Sequence, residues 1–260
     1  MSVGSIPSRS TIHTYIMFTK KLIVLLLFLS CNVSAANKIT AQSWLVTNEA
    51  GRIIQGEKYD VVRSIASITK LMTVMVVLDA KQDLDEKLTH NHFTREELID
   101  LALVKSDNAA AKQLCEYYPG GTYSCIHAMN KKAFDLGMIQ TKFIEPTGLS
   151  PMNISTGQEL ITLVLEAKNY PEIVNASKIS DLKIKARKKY LFFKNTNPKV
   201  GKNHKIIVSK TGWTKASGGC IVLFLDSDVG KRVVIVLGSK NTQTRIPEAE
   251  FISTMKAITY

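Results

Sequence analysis

The sequence predicts a mixed α/β fold of the α+β type: one antiparallel sheet assembled from both chain ends and covered by helices, with an inserted helical block. Three observations carry this expectation. Short β-branched runs occur near residues 43–54 and recur after residue 205. Between them lie segments with helical apolar spacing and helix-capping residues. No internal repeat or low-complexity linker divides the chain, so residues 36–260 read as one domain.

Residues 1–35 read as a signal peptide. Lys20 and Lys21 precede the apolar run Leu22 to Leu29, and Val33-Ser34-Ala35 supplies small residues for cleavage. The run is shorter than the roughly 20 residues a membrane-spanning helix needs. Met17 gives a more compact start than Met1, and Phe28-Leu29-Ser30-Cys31 is a poor lipidation sequence. Export is therefore expected, to a periplasmic location, soluble or peripherally associated.

Ser43 to Thr47, Asn48-Glu49-Ala50-Gly51 and Arg52-Ile53-Ile54 form a β-hairpin pattern. Ser67 to Ala80 contains neither Gly nor Pro and is apolar almost all round, the mark of a buried helix. Thr94 and Glu97 form a capping box ahead of a helix to Val104, and Thr156 and Glu159 repeat the pattern ahead of Leu160 and Leu163. Asp107 to Tyr117 and Tyr123 to Leu136 are further helices, the second stopped by Gly137. The Lys-rich stretch from Lys178 to Lys205 is interleaved with Ile184, Leu191, Phe192 and Phe193 and reads as strands and loops with Lys outside. Lys205 to Thr211, Cys220 to Leu225 and Arg232 to Leu237 are strands, the last two joined by a turn at Asp226 to Gly230, and Pro247 to Ala257 is a closing helix.

Hydrophobic residues make up 45% of the chain and charged residues 22%, an ordinary globular balance. The formal net charge of +12 suits anionic partners such as wall polymer or lipid headgroups, and export argues against nucleic acid. Beyond the leader three cysteines remain. Cys115 and Cys125 flank Pro119-Gly120-Gly121, where a disulfide and two free thiols are both open, and Cys220 reads as a buried strand thiol. No His-Glu-x-x-His occurs, and His90, His92, His127 and His204 make no metal-ligand pattern.

Three short motifs carry chemistry. Ser67-Ile68-Thr69-Lys70 sets a hydroxyl and an amine three residues apart on one helix face. A serine hydroxyl is a weak nucleophile until a base takes its proton, and a lysine kept neutral by burial is such a base. The tetrad recurs at Ser180/Lys183 and Ser253/Lys256, but only Lys70 lies in an apolar helix, where an uncompensated ammonium is costly. Ser106-Asp107-Asn108 falls between two helices; capping of the second helix explains it as readily as chemistry does. Lys210-Thr211-Gly212 ends a strand, where Lys and Thr suit a carboxylate and Gly permits close approach by a ligand.

Together, and in this order, the three form the signature of penicillin-binding proteins and class A β-lactamases. Arg63 to Thr73, Tyr118-Pro119-Gly120-Gly121, Phe143 to Ser150 and Lys210-Thr211-Gly212-Trp213-Thr214 extend the likeness. The chain resembles low-molecular-mass penicillin-binding proteins, above all their D-alanyl-D-alanine endopeptidase branch. The resemblance implies a single β-lactamase/DD-peptidase-like domain and a serine hydrolase acting on D-alanyl peptide bonds of peptidoglycan. It implies Ser67 as nucleophile, Lys70 as base and Ser106 as proton relay, with Asn108 orienting Lys70 and the substrate amide. Lys210 and Thr211 would bind a carboxylate beside Gly212, and the N–H groups of Ser67 and Trp213 would form the oxyanion hole. It implies peptidoglycan peptides as substrate, β-lactam antibiotics as covalent inhibitors, peripheral contact with wall or membrane, and no cofactor.

Two departures from the family stand out. The stretch from Leu84 to Phe93 is short, which bears on substrate selection, and the chain after Gly212 leaves no room for the second β-domain and amphipathic anchor of the carboxypeptidase branch. The alternatives are a D-alanyl-D-alanine carboxypeptidase, a β-lactamase with Glu145 as its only nearby second base, and a non-catalytic β-lactam-binding or scaffold protein. Glu145-Pro146-Thr147-Gly148 lacks the Asn-containing pattern of a β-lactamase, and the three intact motifs argue against a scaffold.

Overall fold

A computed structural model describes residues 39–88, 93–186, 188–202 and 205–257. The leader segment and His90, His92 and His204 lie outside these residues. Five antiparallel strands form the central sheet, in the order β2-β1-β9-β8-β7. They are β1 (Ser43–Asn48), β2 (Ile53–Glu57), β7 (Lys205–Thr214), β8 (Gly218–Ser227) and β9 (Gly230–Ser239). The expectation of a sheet from both chain ends holds: β1 pairs with β9 from Ser43↔Leu237 to Asn48↔Arg232. In the β1–β2 turn the Asn48 side-chain oxygen accepts hydrogen bonds from the N–H groups of Ala50 and Arg52, and Gly51 takes φ 81°.

The late strands read as unbroken apolar runs because both faces of the sheet are covered. Cys220, Val222, Phe224, Val233, Ile235 and Leu237 pack into the main helical core. Their neighbours Ile221, Leu223, Leu225, Val234 and Val236 pack into a second core with Ile246, Ala249 and Ile252. Those three lie on the closing helix (Arg245–Ser253). That helix begins two residues before Pro247, which is tolerated in a first turn where N–H groups need no intrahelical partner.

The helical layer runs α1 (Thr69–Asp79), α2 (Arg95–Asp100), α3 (Asn108–Glu116), α4 (Gly121–Asp135), α5 (Gly157–Ala167) and α6 (Pro171–Ala176), and the closing helix is α7. Nine of the eleven α1 residues are buried, as an all-round apolar helix requires. The Thr94–Glu97 capping box forms in full. At Thr156 only half of it forms, because the Glu159 carboxylate accepts instead from Gln140 N–H and the Thr141 hydroxyl. The helix expected to run to Val104 widens after α2 into a π-turn over Leu101–Lys105. The Val104 carbonyl, in the last turn and without an intrahelical partner, accepts from Thr196 N–H at 3.0 Å. Helix α6 has no counterpart in the sequence expectations; Pro171 at its first turn is the signal that was there.

Two short ribbons complete the fold. β3 (Arg63–Ser64) pairs with β4 (Ile154–Ser155). β5 (Asp181–Ala186) and β6 (Lys189–Lys194) form a separate hairpin with Leu182 and Ile184 buried and the Lys residues outside, as expected. Among the described residues no helix is long and apolar enough to cross a membrane.

Cys115 on α3 and Cys125 on α4 are joined in a disulfide, which settles the pairing the sequence left open; Cys220 is a buried free thiol in β8. The bridged cysteines are 10 residues apart. Closing a loop of that size restricts the unfolded chain by about 2–3 kcal/mol. Replacing both cysteines by Ala is therefore expected to lower unfolding free energy in urea by about that amount.

Candidate active site

The turn that carries Ser67 is held by close backbone approach. Ala66 adopts φ 46°, unusual for a residue with a side chain, and opens a short 3-10 turn, Ala66–Ile68, ahead of α1. Ser67 is half-buried between the fully buried Ala66 and Ile68. The sequence placed Ser67 in the helix itself; it sits instead in the short 3-10 turn just ahead, with Lys70 in the first turn of α1. The Thr69 hydroxyl donates to Ala66 O at 2.8 Å and accepts from Asn153 Nδ2 at 3.1 Å. Two glycines flank the turn. A Cβ on Gly212 would stand 3.0 Å from Ser67 N, and one on Gly148 (φ 83°) only 2.0 Å from Ala66 O. Gly212, expected to end its strand, instead continues β7 past the Ser67 turn.

Lys70 is fully buried. Its Nζ lies 2.9 Å from Ser67 Oγ, 2.8 Å from Asn108 Oδ1 and 2.6 Å from Thr147 O. Burial lowers its pKa to about 8, against the opposing pull of Glu145 and Asp107. Asn108 Oδ1 and Thr147 O can only accept, whereas the Ser67 hydroxyl can also donate. A neutral amine thus spends its two N–H groups on Asn108 and Thr147 and turns its lone pair to the Ser67 hydroxyl.

The second motif is set by the π-turn. Ser106 closes it in a left-handed conformation (φ 61°), Asp107 caps α3 by accepting from Ala110 N–H at 3.0 Å, and Asn108 begins the helix. Capping and site geometry are both satisfied: Asp107 is the cap, and its neighbours face the two buried lysines. Lys210 Nζ donates to Ser106 Oγ at 2.8 Å and to Thr211 O at 2.9 Å. Burial, with Lys70 and Arg245 nearby, pushes the Lys210 amine well below its ordinary pKa. The Thr211 hydroxyl donates to Thr196 Oγ1 at 2.7 Å, and Trp213 lies half-exposed on the same strand. Lys70, Asn108 and Gly212 thus come together around Ser67, Ser106 pairs with Lys210, and Thr211 and Trp213 follow on the same strand, while the two other Ser-x-x-Lys tetrads end in the exposed Lys183 and Lys256.

Several supports escaped the sequence reading. Glu145, weighed there as a second base, spends its carboxylate on its own loop. It accepts from Thr147 N–H (2.7 Å) and Oγ1 (2.6 Å), Gly148 N–H (2.6 Å), Ser150 N–H (3.4 Å) and Asn153 Nδ2 (2.9 Å). That network presents the Thr147 carbonyl to Lys70. Arg245 on α7 donates from Nη1 to Gly212 O at 2.7 Å and braces β7 beside the Ser67 turn. No local pattern marks either contact, although the Glu-Pro-Thr-Gly turn was visible. Gly148→Ala, which forces a Cβ against the Ala66 carbonyl at positive φ, is expected to destabilise the protein by about 2–4 kcal/mol, read as a lowered urea midpoint.

The family model for D-alanyl-D-alanine carboxypeptidase matches residues 30–92 and 86–241. A D-alanyl-D-alanine endopeptidase of Escherichia coli is 40% identical over 205 residues, 71% of this chain and 66% of its own. One of Pseudomonas aeruginosa is 33% identical over 269 residues, 90% of this chain and 87% of its own. Among solved structures, a penicillin-binding protein of Listeria monocytogenes in its ampicillin-bound form superposes with a TM-score of 0.74 at 25% identity, covering 83% of this chain and 96% of that one. A variant of a Streptomyces DD-transpeptidase superposes with a TM-score of 0.76, also at 25% identity, over 83% and 96% of the two chains. The chain belongs to the D-alanyl-D-alanine carboxypeptidase family, as a serine D-Ala-D-Ala peptidase of the low-molecular-mass penicillin-binding type.

Proposed function

We propose that this protein is an exported D-alanyl-D-alanine endopeptidase that cleaves peptidoglycan cross-links through an acyl-enzyme on Ser67. The observation that carries the catalytic reading is the hydrogen bonding of Lys70, whose two obligate acceptors leave a neutral amine free to take the Ser67 proton. The bond preference rests on three relatives named D-alanyl-D-alanine endopeptidase, at 33–40% identity. Carboxypeptidase action, the description of the family as a whole, is the second reading. Export rests on the leader pattern of residues 1–35.

In this mechanism Ser67 Oγ attacks the D-alanyl carbonyl carbon as its proton passes to Lys70 Nζ. The oxyanion is held by the N–H groups of Ser67 and Trp213. Ser106 relays the proton to the leaving nitrogen, the C–N bond breaks, and an ester to Ser67 remains. Water then cleaves the ester with the proton path reversed, releasing a carboxylic acid and free Ser67. Asn108 orients Lys70 and the substrate amide. Lys210 and Thr211 beside Gly212 hold a substrate carboxylate, whose negative charge favours the Lys210 ammonium that burial disfavours. β-Lactams enter by the same attack and remain as adducts, and the full engagement of Glu145 by its own loop argues against rapid β-lactamase turnover.

Ser67→Ala is expected to abolish covalent labelling by a fluorescent penicillin; persistent labelling would sink the nucleophile assignment. Lys70→Ala should slow acylation about 10²–10⁴-fold while penicillin still binds. Lys70 is reactive when neutral, so acylation should rise with pH and level off above about 8. Asp107→Asn keeps the helix cap but removes a charge that stabilises the Lys70 ammonium, so the inflexion should move to lower pH. Digestion of purified cross-linked muropeptides should convert dimers to monomers by mass; release of terminal D-alanine from monomers with dimers untouched would favour the carboxypeptidase reading.

A further inference from the structure

The hairpin β5–β6 has an outer face that the mechanism does not use. Cross-strand pairs there set Asp181 opposite Lys194, Lys183 opposite Phe192 and Lys185 opposite Tyr190, all six exposed. Tyr190 and Phe192 are 54% and 70% exposed, although the opposite face buries Leu182 and Ile184. Lys183 Nζ lies over the Tyr190 ring at 4.1 Å from its centroid and 5.8 Å from that of Phe192, so a cation lies across both rings. Asp181 is the single acid on this face among the described residues, and Lys188 and Lys189 at the turn are also exposed.

The base of the hairpin is fastened to the catalytic cleft. Lys105, next to Ser106, lies over the Phe193 ring at 4.7 Å. Thr196, two residues past β6, donates its N–H to Val104 O at 3.0 Å and accepts the Thr211 hydroxyl at 2.7 Å.

We propose that this face is a docking surface for the polymeric wall substrate: sugar rings stack on Tyr190 and Phe192, and carboxylates of the wall peptides pair with Lys183, Lys185 and Lys194. The proposal rests on the peptidoglycan reading above and extends it from the scissile bond to the strand that carries it. Aromatic rings flanked by cations match a polymer with both sugar faces and carboxylates, and the attachment to the cleft holds such a polymer beside Ser67. A bilayer offers charge without sugar rings and has no need of the cleft.

The test uses the chain carrying Ser67→Ala, sedimented with isolated insoluble peptidoglycan and, separately, with phosphatidylglycerol vesicles. Lys183→Glu with Lys185→Glu is expected to lower binding to peptidoglycan about fivefold to tenfold, and added salt should weaken binding by the unaltered face. Tyr190→Ala with Phe192→Ala should lower it at any salt concentration. In the Ser67-containing chain, both double variants should label with penicillin and cleave soluble cross-linked dimers at the unaltered rate, which shows that they fold and that the cleft is intact, while cleaving intact wall more slowly. Unchanged sedimentation in either double variant overturns the proposal, as does hairpin-dependent binding confined to vesicles. Hairpin-dependent wall binding by a chain that leaves soluble dimers uncut would uphold the docking surface and instead refute the endopeptidase reading.

Discussion

The structure turns on a buried lysine amine. Burying Lys70 is unfavourable for its charged form, and burial outweighs the nearby carboxylates to bring its pKa down to about 8. The helix that carries it is buried nearly throughout: nine of its eleven residues, Lys70 among them, are shielded from solvent. Two other parts of the chain must then deliver acceptors to the amine. Asn108 comes from the start of α3, and the Thr147 carbonyl from a loop ordered around the Glu145 carboxylate. Glu145 and Asp107 pull the other way, favouring the ammonium, so the pKa is a balance in which desolvation is the largest effect. The amine stays close enough to neutrality to act as a base near physiological pH.

A second constraint follows from the first. Lys70, Lys210 and Arg245 lie near one another, and no carboxylate pairs directly with any of them in the ion pairs among the described residues. They are held by carbonyls and hydroxyls: Thr147 O for Lys70, Ser106 Oγ and Thr211 O for Lys210, Gly212 O for Arg245. Neutral acceptors satisfy hydrogen bonds without stabilising the charges, so all three groups lie below their ordinary pKa and an anionic ligand would favour their charged forms. Stability and function pull apart here, and the surrounding backbone bears the strain in the positive φ angles of Ala66 and Ser106.

What the sequence by itself determined was whatever depends on neighbours along the chain. Strand and helix types followed from apolar periodicity, the Thr94 cap from a three-residue spacing, and Ser67 from a lysine placed in an apolar helix. Those interactions lie within one turn or one strand, where residue type decides geometry. The tertiary structure alone decided the contacts that join distant segments: the Cys115–Cys125 bridge, the Thr147 carbonyl 77 residues from Lys70, the Arg245 brace 33 residues from Gly212, and the Val104 carbonyl at the end of the π-turn taken by Thr196. Backbone carbonyls have no signature in residue type, and a glycine needed for close approach looks like any other. Such contacts exist only once the sheet has closed and brought its glycines against the Ser67 turn.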